Sequence, residues 1–252
     1  MVYQGSKAKL KKYLIPILQK CIDDNGVTNY VEPFVGGANI IDSIKCEHRI
    51  ASDINKELIS LLTYIQLNPE LDITPDDCSF EHYSDVRENR KNKTNKYSQT
   101  YTSLIGYFAS YGGRYFDGGY GRDSKGGCCI YKKRLANARE QAPLLKGIKF
   151  FPADYKFYIE SEIKGAVFYL DPPYKNTKSY NNQKFNHEEF YTFCRQLSKD
   201  TWVFISEYSM PDDFECIWQK DRYVLQKADR SKGDTFTEKL FVCKGGLVWQ
   251  NN

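Results

Sequence analysis

The sequence predicts an α/β fold built on a mostly parallel sheet, and three observations carry that expectation. Short apolar runs alternate with helical patterns through the first 67 residues. The same alternation resumes after residue 147. Acidic residues stand at the ends of several apolar runs: Asp53 after Arg49–Ser52, Asp171 after Ala166–Leu170, and Glu207 after Trp202–Ser206. Ligands of parallel sheets bind at the carboxyl ends of the strands, so these acids are candidate functional groups.

The elements follow in order. Met1–Lys12 is basic and carries Tyr3-Gln4-Gly5-Ser6-Lys7. Leu14, Ile17, Leu18 and Ile22 recur at helical spacing, and Asn25-Gly26 supplies a stop. Asn29–Phe34 reads as a short strand running into Val35-Gly36-Gly37-Ala38, and Ile40, Ile41 and Ile44 suggest a helix after it. Arg49–Ser52 reads as a buried strand and Glu57–Leu67 as a helix. From about Asn68 to Gly147 the chain is polar, basic and rich in Tyr and Gly, without strand alternation in its middle. Eight of the 17 glycines stand between Gly106 and Gly127, among Tyr107, Phe108, Tyr111, Tyr115, Phe116 and Tyr120. A helix carrying Asn137-Ala138-Arg139 is expected to end before Pro143. Strands at Ile148–Phe151, Ala166–Leu170, Trp202–Ser206 and Leu240–Val242 complete the pattern. The expected organisation is one α/β domain in two sequence blocks, 1–67 and 147–252, interrupted by an inserted segment, 68–146.

Composition narrows the function classes. A net charge of +4 is too mild to establish a nucleic-acid partner by itself. Arg87, Arg90, Lys91, Lys93 and Lys96 cluster against one opposing Glu88, and Arg122, Lys125, Lys132, Lys133, Arg134 and Arg139 follow. Either run reads as a solvated face or as a surface for an acidic partner. The eight cysteines include no C-x-x-C pair, and the three histidines are scattered, which argues against a metal site. With no secretion signal or membrane-length apolar run, a cytoplasmic protein with reduced thiols is expected.

Three motifs carry the chemistry. Val31-Glu32-Pro33-Phe34-Val35-Gly36-Gly37 is a strand with a glycine turn, which lets a backbone approach a ligand closely. It also reads as an ordinary strand–helix turn. Asp53 lies 21 residues beyond Glu32, at the next strand end, where a carboxylate can accept hydrogen bonds from a ribose diol. It reads equally as the N-cap of the following helix. The third is Asp171-Pro172-Pro173-Tyr174, directly after the strongest buried strand. By average composition this tetrapeptide should occur by chance in such a chain on the order of once in a thousand. No G-x-G-x-x-G or G-x-x-x-x-G-K-[ST] is present, which counts against a dinucleotide or a nucleoside triphosphate.

These residues together resemble the Dam-like, D12-class family of DNA adenine methyltransferases, in the form common among phage-type members. Tyr3-Gln4-Gly5-Ser6-Lys7 is similar to its N-terminal cofactor motif, and Val31–Asn39 to its V-E-P-F-V-G-x-G motif. Ile50–Asn55 is similar to its acidic-strand motif, and Asp171–Tyr174 matches its catalytic D-P-P-Y. Asp154-Tyr155 stands where the family has a pair near the cofactor's adenine. Phe204–Tyr208 and Glu238–Val242 resemble its target-pocket motifs.

The resemblance implies a Rossmann-like methyltransferase fold with a mixed, mostly parallel seven-stranded sheet flanked by helices. It makes 68–146 a mostly helical target-recognition insertion. It implies S-adenosylmethionine as methyl donor, touched by Tyr3, Lys7, Glu32, Phe34, Gly36, Asp53, Asp154 and Asp171. Asp171, Pro172 and Tyr174 become the catalytic group. The substrate is double-stranded DNA, with the adenine flipped out of the helix. A carboxylate and a fixed backbone carbonyl can each take one hydrogen of an exocyclic amine, localising its lone pair, while the tyrosine face stacks on the extruded base.

Two departures stand out. Ala38 occupies the place of the family's second glycine, and Tyr111-Gly112-Gly113-Arg114-Tyr115 replaces the N-G-x-x-R of the GATC readers. Tyr111, Arg114, Tyr115 and Arg122 are the expected DNA-binding residues; a flexible surface loop is the other reading. The chain is expected to act as a monomer without metal or membrane, with a restriction endonuclease as a possible companion. An RNA or protein-glutamine methyltransferase and an inactive DNA-binding homologue are the alternatives, and Asp171 in place of Asn argues against glutamine.

Overall fold

The computed structural model describes residues 1–3, 5–122, 130–161, 163–175, 185–225 and 233–247. Its helices are α1 (Lys11–Asp24), α2 (Lys56–Leu67), α3 (Phe80–Asn92), α4 (Gln99–Ala109), α5 (Tyr131–Leu145) and α6 (His187–Leu197). Its strands are β1 (Asn29–Glu32), β2 (His48–Asp53), β3 (Ile148–Pro152), β4 (Val167–Leu170), β5 (Trp202–Glu207), β6 (Phe214–Leu225) and β7 (Gly233–Cys243). They form the expected seven-stranded sheet, in the order β3-β2-β1-β4-β5-β7-β6. β4 runs parallel to β1 and β5, while β7 is antiparallel to β5 and β6. The parallel centre is buried on both sides, as crossover connections require, and Val167–Leu170 are buried without exception.

Three elements differ from expectation for physical reasons. Ile40, Ile41 and Ile44 are all buried but support only a single 3-10 turn, Ile41–Ser43. The intervening Asp42 is buried too, paired with Lys11 at 2.5 Å. α5 runs through Pro143 to Leu145: the proline forfeits its own N–H bond to the preceding turn, and the helix ends two residues after it. The late strand extends far beyond Leu240–Val242, because β6 pairs with β7 along a hairpin. β6 is the edge strand, and its exposed Glu215, Lys220 and Asp221 hid it from an apolar pattern.

The described residues fall into two compact units. The first comprises Met1–Ile15, Val35–Lys45 and Ala51–Ala153. Within it α2 packs on α4, α5 and β3, burying Leu58, Ile59, Leu61, Leu62 and Ile65. α4 is buried from Thr102 to Ala109. Its terminal carbonyls are satisfied by a buried cation: Arg134 of α5 donates from Nη1 to the Tyr107 and Phe108 carbonyls at 2.6 and 3.1 Å. Hydrogen bonds to a charged donor contribute about 1.5–3 kcal/mol each. The second unit comprises Pro16–Phe34, Cys46–Ile50 and Asp154–Asn252. Its core contains β4, the buried residues of β5, and the apolar face of α6, where Phe190, Tyr191, Phe193, Cys194 and Leu197 are buried and which packs on the 3-10 segment Tyr155–Ile159.

Candidate active site

In the first unit, Asp53 closes β2 and faces two backbone donors. Its Oδ2 accepts the Gly36 N–H at 3.2 Å and its Oδ1 the Asn55 N–H at 3.0 Å. The N-cap of α2 is Asn55, whose side chain accepts the Leu58 N–H at 3.1 Å. The capping alternative for Asp53 is thereby overturned: the carboxylate bridges the glycine turn and the helix start. A carboxylate offers about four acceptor sites, so capacity remains for a pair of hydroxyl donors. Burial pushes the Asp53 carboxyl up from 3.8 to about 6, against the opposing pull of the Asn55 and Gly36 N–H groups.

The glycine turn is shaped by the N-terminal motif. A Cβ on Gly36 would lie 3.1 Å from the Tyr3 ring, and one on Gly37 would lie 2.6 Å from Asn39 Nδ2 and 3.0 Å from the Met1 carbonyl. Ala38 adopts a left-handed φ of 54° while fully buried, which explains why a glycine suits this place. A non-glycine residue there costs about 1–2 kcal/mol. From the buried face of α5, Gln141 Nε2 donates to the Gly37 and Ala38 carbonyls at 3.1 Å each and to Asp42 at 2.9 Å. Lys7 is buried, and Tyr3 lies 6.2 Å from the Tyr107 ring. Tyr107 accepts the Asn55 amide at 3.1 Å. Asn55 stands in the acidic-strand motif and Tyr107 among the loop aromatics, but neither was given a role, and nothing local in the sequence sets Gln141 apart.

In the second unit the tetrapeptide leaves β4 with Asp171 partly exposed, Pro172 buried and Tyr174 9% exposed. Tyr174 donates its hydroxyl to Glu238 at 2.9 Å, and its ring meets Tyr208 edge-on at 4.5 Å. Burial and the carboxylates of Asp171 and Glu238 hold the Tyr174 hydroxyl well above its ordinary pKa, so it stays a donor. Glu207, fully buried at the end of β5, accepts the Lys175 N–H at 3.2 Å and the Tyr208 N–H at 2.7 Å. It lies within Phe204–Tyr208, the segment that resembles a target-pocket motif, but it was not among the expected site residues. Glu32 is buried and accepts the Tyr30 hydroxyl at 2.7 Å, two residues back on the same strand face. Phe34 stacks on Tyr155 at 5.3 Å, beside Phe185 and Phe190. Asp154 is exposed and caps the following turn through the Lys156 N–H at 2.9 Å.

The expected DNA-contacting residues separate in the first unit. Tyr111 is 50% exposed, and Arg114 is exposed beside it. Tyr115 is half-buried, packed on Tyr107 at 4.9 Å and Phe116 at 5.0 Å, with the Arg90 guanidinium 4.7 Å above its ring. Arg122 is exposed and lies over Phe80 and Tyr120. Among the described residues no group of three or more His, Cys, Asp or Glu side chains is arranged to hold a metal ion, and no helix is long and apolar enough to cross a membrane.

With this geometry in place, comparison with known proteins is specific. The family model described as D12 class N6 adenine-specific DNA methyltransferase matches residues 3–227. The type II methyltransferase M1.LlaDCHI of Lactococcus lactis subsp. cremoris is 26% identical over 227 residues, covering 80% of this chain and 79% of its own. The type II methyltransferase M.MjaIII of Methanocaldococcus jannaschii is 25% identical over 232 residues, covering 78% of this chain and 79% of its own. The type II methyltransferase M.FokI of Planomicrobium okeanokoites is 28% identical over 197 residues, 71% of this chain but only 29% of that longer protein.

Proposed function

The chain belongs to the D12 class N6 adenine-specific DNA methyltransferase family, and from that premise we propose that it transfers a methyl group from S-adenosylmethionine to the N6 amine of an adenine flipped out of duplex DNA. The observation that supports this most is Asp171-Pro172-Pro173-Tyr174 at the end of a central parallel strand, with the Tyr174 ring fixed by Glu238 and Tyr208. Bound S-adenosylmethionine supplies an electrophilic methyl on a sulfonium. The residues fit a ribose-bearing donor, because Asp53 keeps acceptor capacity and the glycine turn brings backbone close to it. In this reading Tyr3, Lys7, Glu32, Phe34, Gly36 and Asp154 belong with Asp53 to the cofactor-binding set.

The Asp171 carboxylate and the Pro172 carbonyl each accept one amino hydrogen of the adenine. This localises the nitrogen lone pair and stabilises the positive charge that forms there as the methyl arrives. Tyr174 offers its face to the base, and positioning supplies much of the remaining rate. Residues 68–146 act as the target-recognition region, with Tyr111, Arg114, Tyr115 and Arg122 toward DNA. We place the protein in the cytoplasm as a monomer, with a restriction endonuclease as companion.

Expression in a host without adenine methylation, followed by sequencing of modified bases, tests the proposal. N6-methyladenine should accumulate at one short DNA sequence. Folded protein with no methylated adenine in DNA, or with methyl label in RNA alone, would overturn it.

A further inference from the structure

The Tyr174 ring is tied to a carboxylate far from it in sequence, and we infer that Glu238 is a positioning residue for the ring that stacks on the target base. The inference rests on the function proposed above for Tyr174. Phenylalanine would present the same stacking face, so the hydroxyl needs a separate reason. That reason is on the β7 strand: Tyr174 Oη donates to Glu238 Oε2 at 2.9 Å, with the two residues 9% and 6% exposed. A carboxylate so buried is costly unless it is hydrogen-bonded, and here the ring supplies a bond. The phenol has two side-chain torsions: an anchor at the hydroxyl, which lies on the χ2 axis, restrains χ1, and the Tyr208 ring packed edge-on at 4.5 Å restrains rotation about χ2.

A second carboxylate restrains the backbone at the other end of the same residue. Glu207 accepts the N–H of Lys175, the peptide directly after Tyr174, at 3.2 Å. It also accepts the N–H of Tyr208 at 2.7 Å, and the Tyr208 ring packs edge-on against Tyr174 at 4.5 Å. Glu207 and Glu238 come from neighbouring antiparallel strands, with Glu207 in register with Lys239. The tyrosine is thus held at its hydroxyl, its ring edge and its following peptide by β5 and β7. Both acids act through Tyr174.

A double-mutant cycle on the full chain tests this, with steady-state methylation of duplex DNA carrying the mapped site. Glu238→Ala and Tyr174→Phe should each lower kcat by about tenfold, given that a misplacement of 1 Å can cost about a hundredfold. KM for S-adenosylmethionine should stay within about twofold, because the loss falls on base positioning. The double variant should be no slower than either single one, since both remove one interaction. Glu238→Gln keeps an acceptor oxygen and should recover most of the rate lost in Glu238→Ala. Multiplying effects in the double variant, a Gln variant as slow as Ala, or an undiminished Tyr174→Phe would each overturn the inference. If Glu238→Ala does not fold, the cycle is run with Glu238→Leu, which removes the acceptor but keeps the volume, against Tyr174→Phe. Absence of methylation by the unaltered protein would instead count against the proposed function.

Discussion

The strand-end carboxylates and the glycine-rich loop around Arg114 put side chains to opposite uses. Asp53 is clasped by two backbone N–H groups, and Asp171 opens a segment whose next two residues are prolines. Their surroundings are set by the sheet and by fixed φ angles. In the loop, Gly112 and Gly113 take φ values of 67° and 69°, while Tyr111 and Arg114 reach solvent. The loop still has a floor: a Cβ on Gly113 would lie 2.7 Å from the Val2 carbonyl, and Tyr115 is wedged between Tyr107 and Phe116. The proposed chemistry thus falls where the sheet and two prolines constrain the backbone. In the function proposed here, recognition falls to two side chains that stand exposed above that packed floor.

The sharpest way to break this contrast is Asp171→Ala. It removes the acceptor that stabilises developing charge, and loss of such a group costs about 10²–10³ in kcat. Labelled methyl incorporation should fall by at least that factor, while thermal melting of the unliganded protein and DNA affinity stay near their original values. Near-normal turnover would remove Asp171 from the chemistry. A smaller effect is expected from Arg114→Ala, on binding alone. If Arg114 reads a base, affinity for the mapped site should drop by about 1–3 kcal/mol, and discrimination at one position should relax. If it holds a phosphate, all sequences should weaken together, with a salt slope lower by about one. Unchanged affinity and preference would place recognition elsewhere.

Legibility in the sequence follows the range of the interactions. β4 and β5 announce themselves because burial forces apolar residues into consecutive positions, and the acids after them stand out by contrast. Asp53 was ambiguous because ribose acceptors and helix caps use the same residue type at the same place. Only the cap at Asn55 separates the two readings. Tyr115 and Tyr111 are equivalent by composition, yet the coordinates give one a packing role and leave the other exposed. The Tyr174–Glu238 bond joins residues 64 apart, and the charged edge strand β6 lies between them in sequence. No local pattern encodes such a pairing.

The finest test of the contrast is acid titration. Burial lifts the Asp53 carboxyl from 3.8 to about 6, with the Asn55 and Gly36 N–H groups opposing the rise. For the unliganded protein the sign is that of any raised acid. The group's contribution to stability is fully present below pH 3.8 and is lost as pH rises through about 6. Cofactor binding runs the other way, because ribose hydroxyls donate more strongly to the charged carboxylate. Affinity for S-adenosylmethionine should therefore rise with pH, bend near 6 and flatten above it. One proton limits the slope to about tenfold per pH unit. Calorimetric titration from pH 5 to 8 reads this directly, and Asp53→Asn should be weaker but flat. Affinity that falls with rising pH would exclude Asp53 as the ribose acceptor.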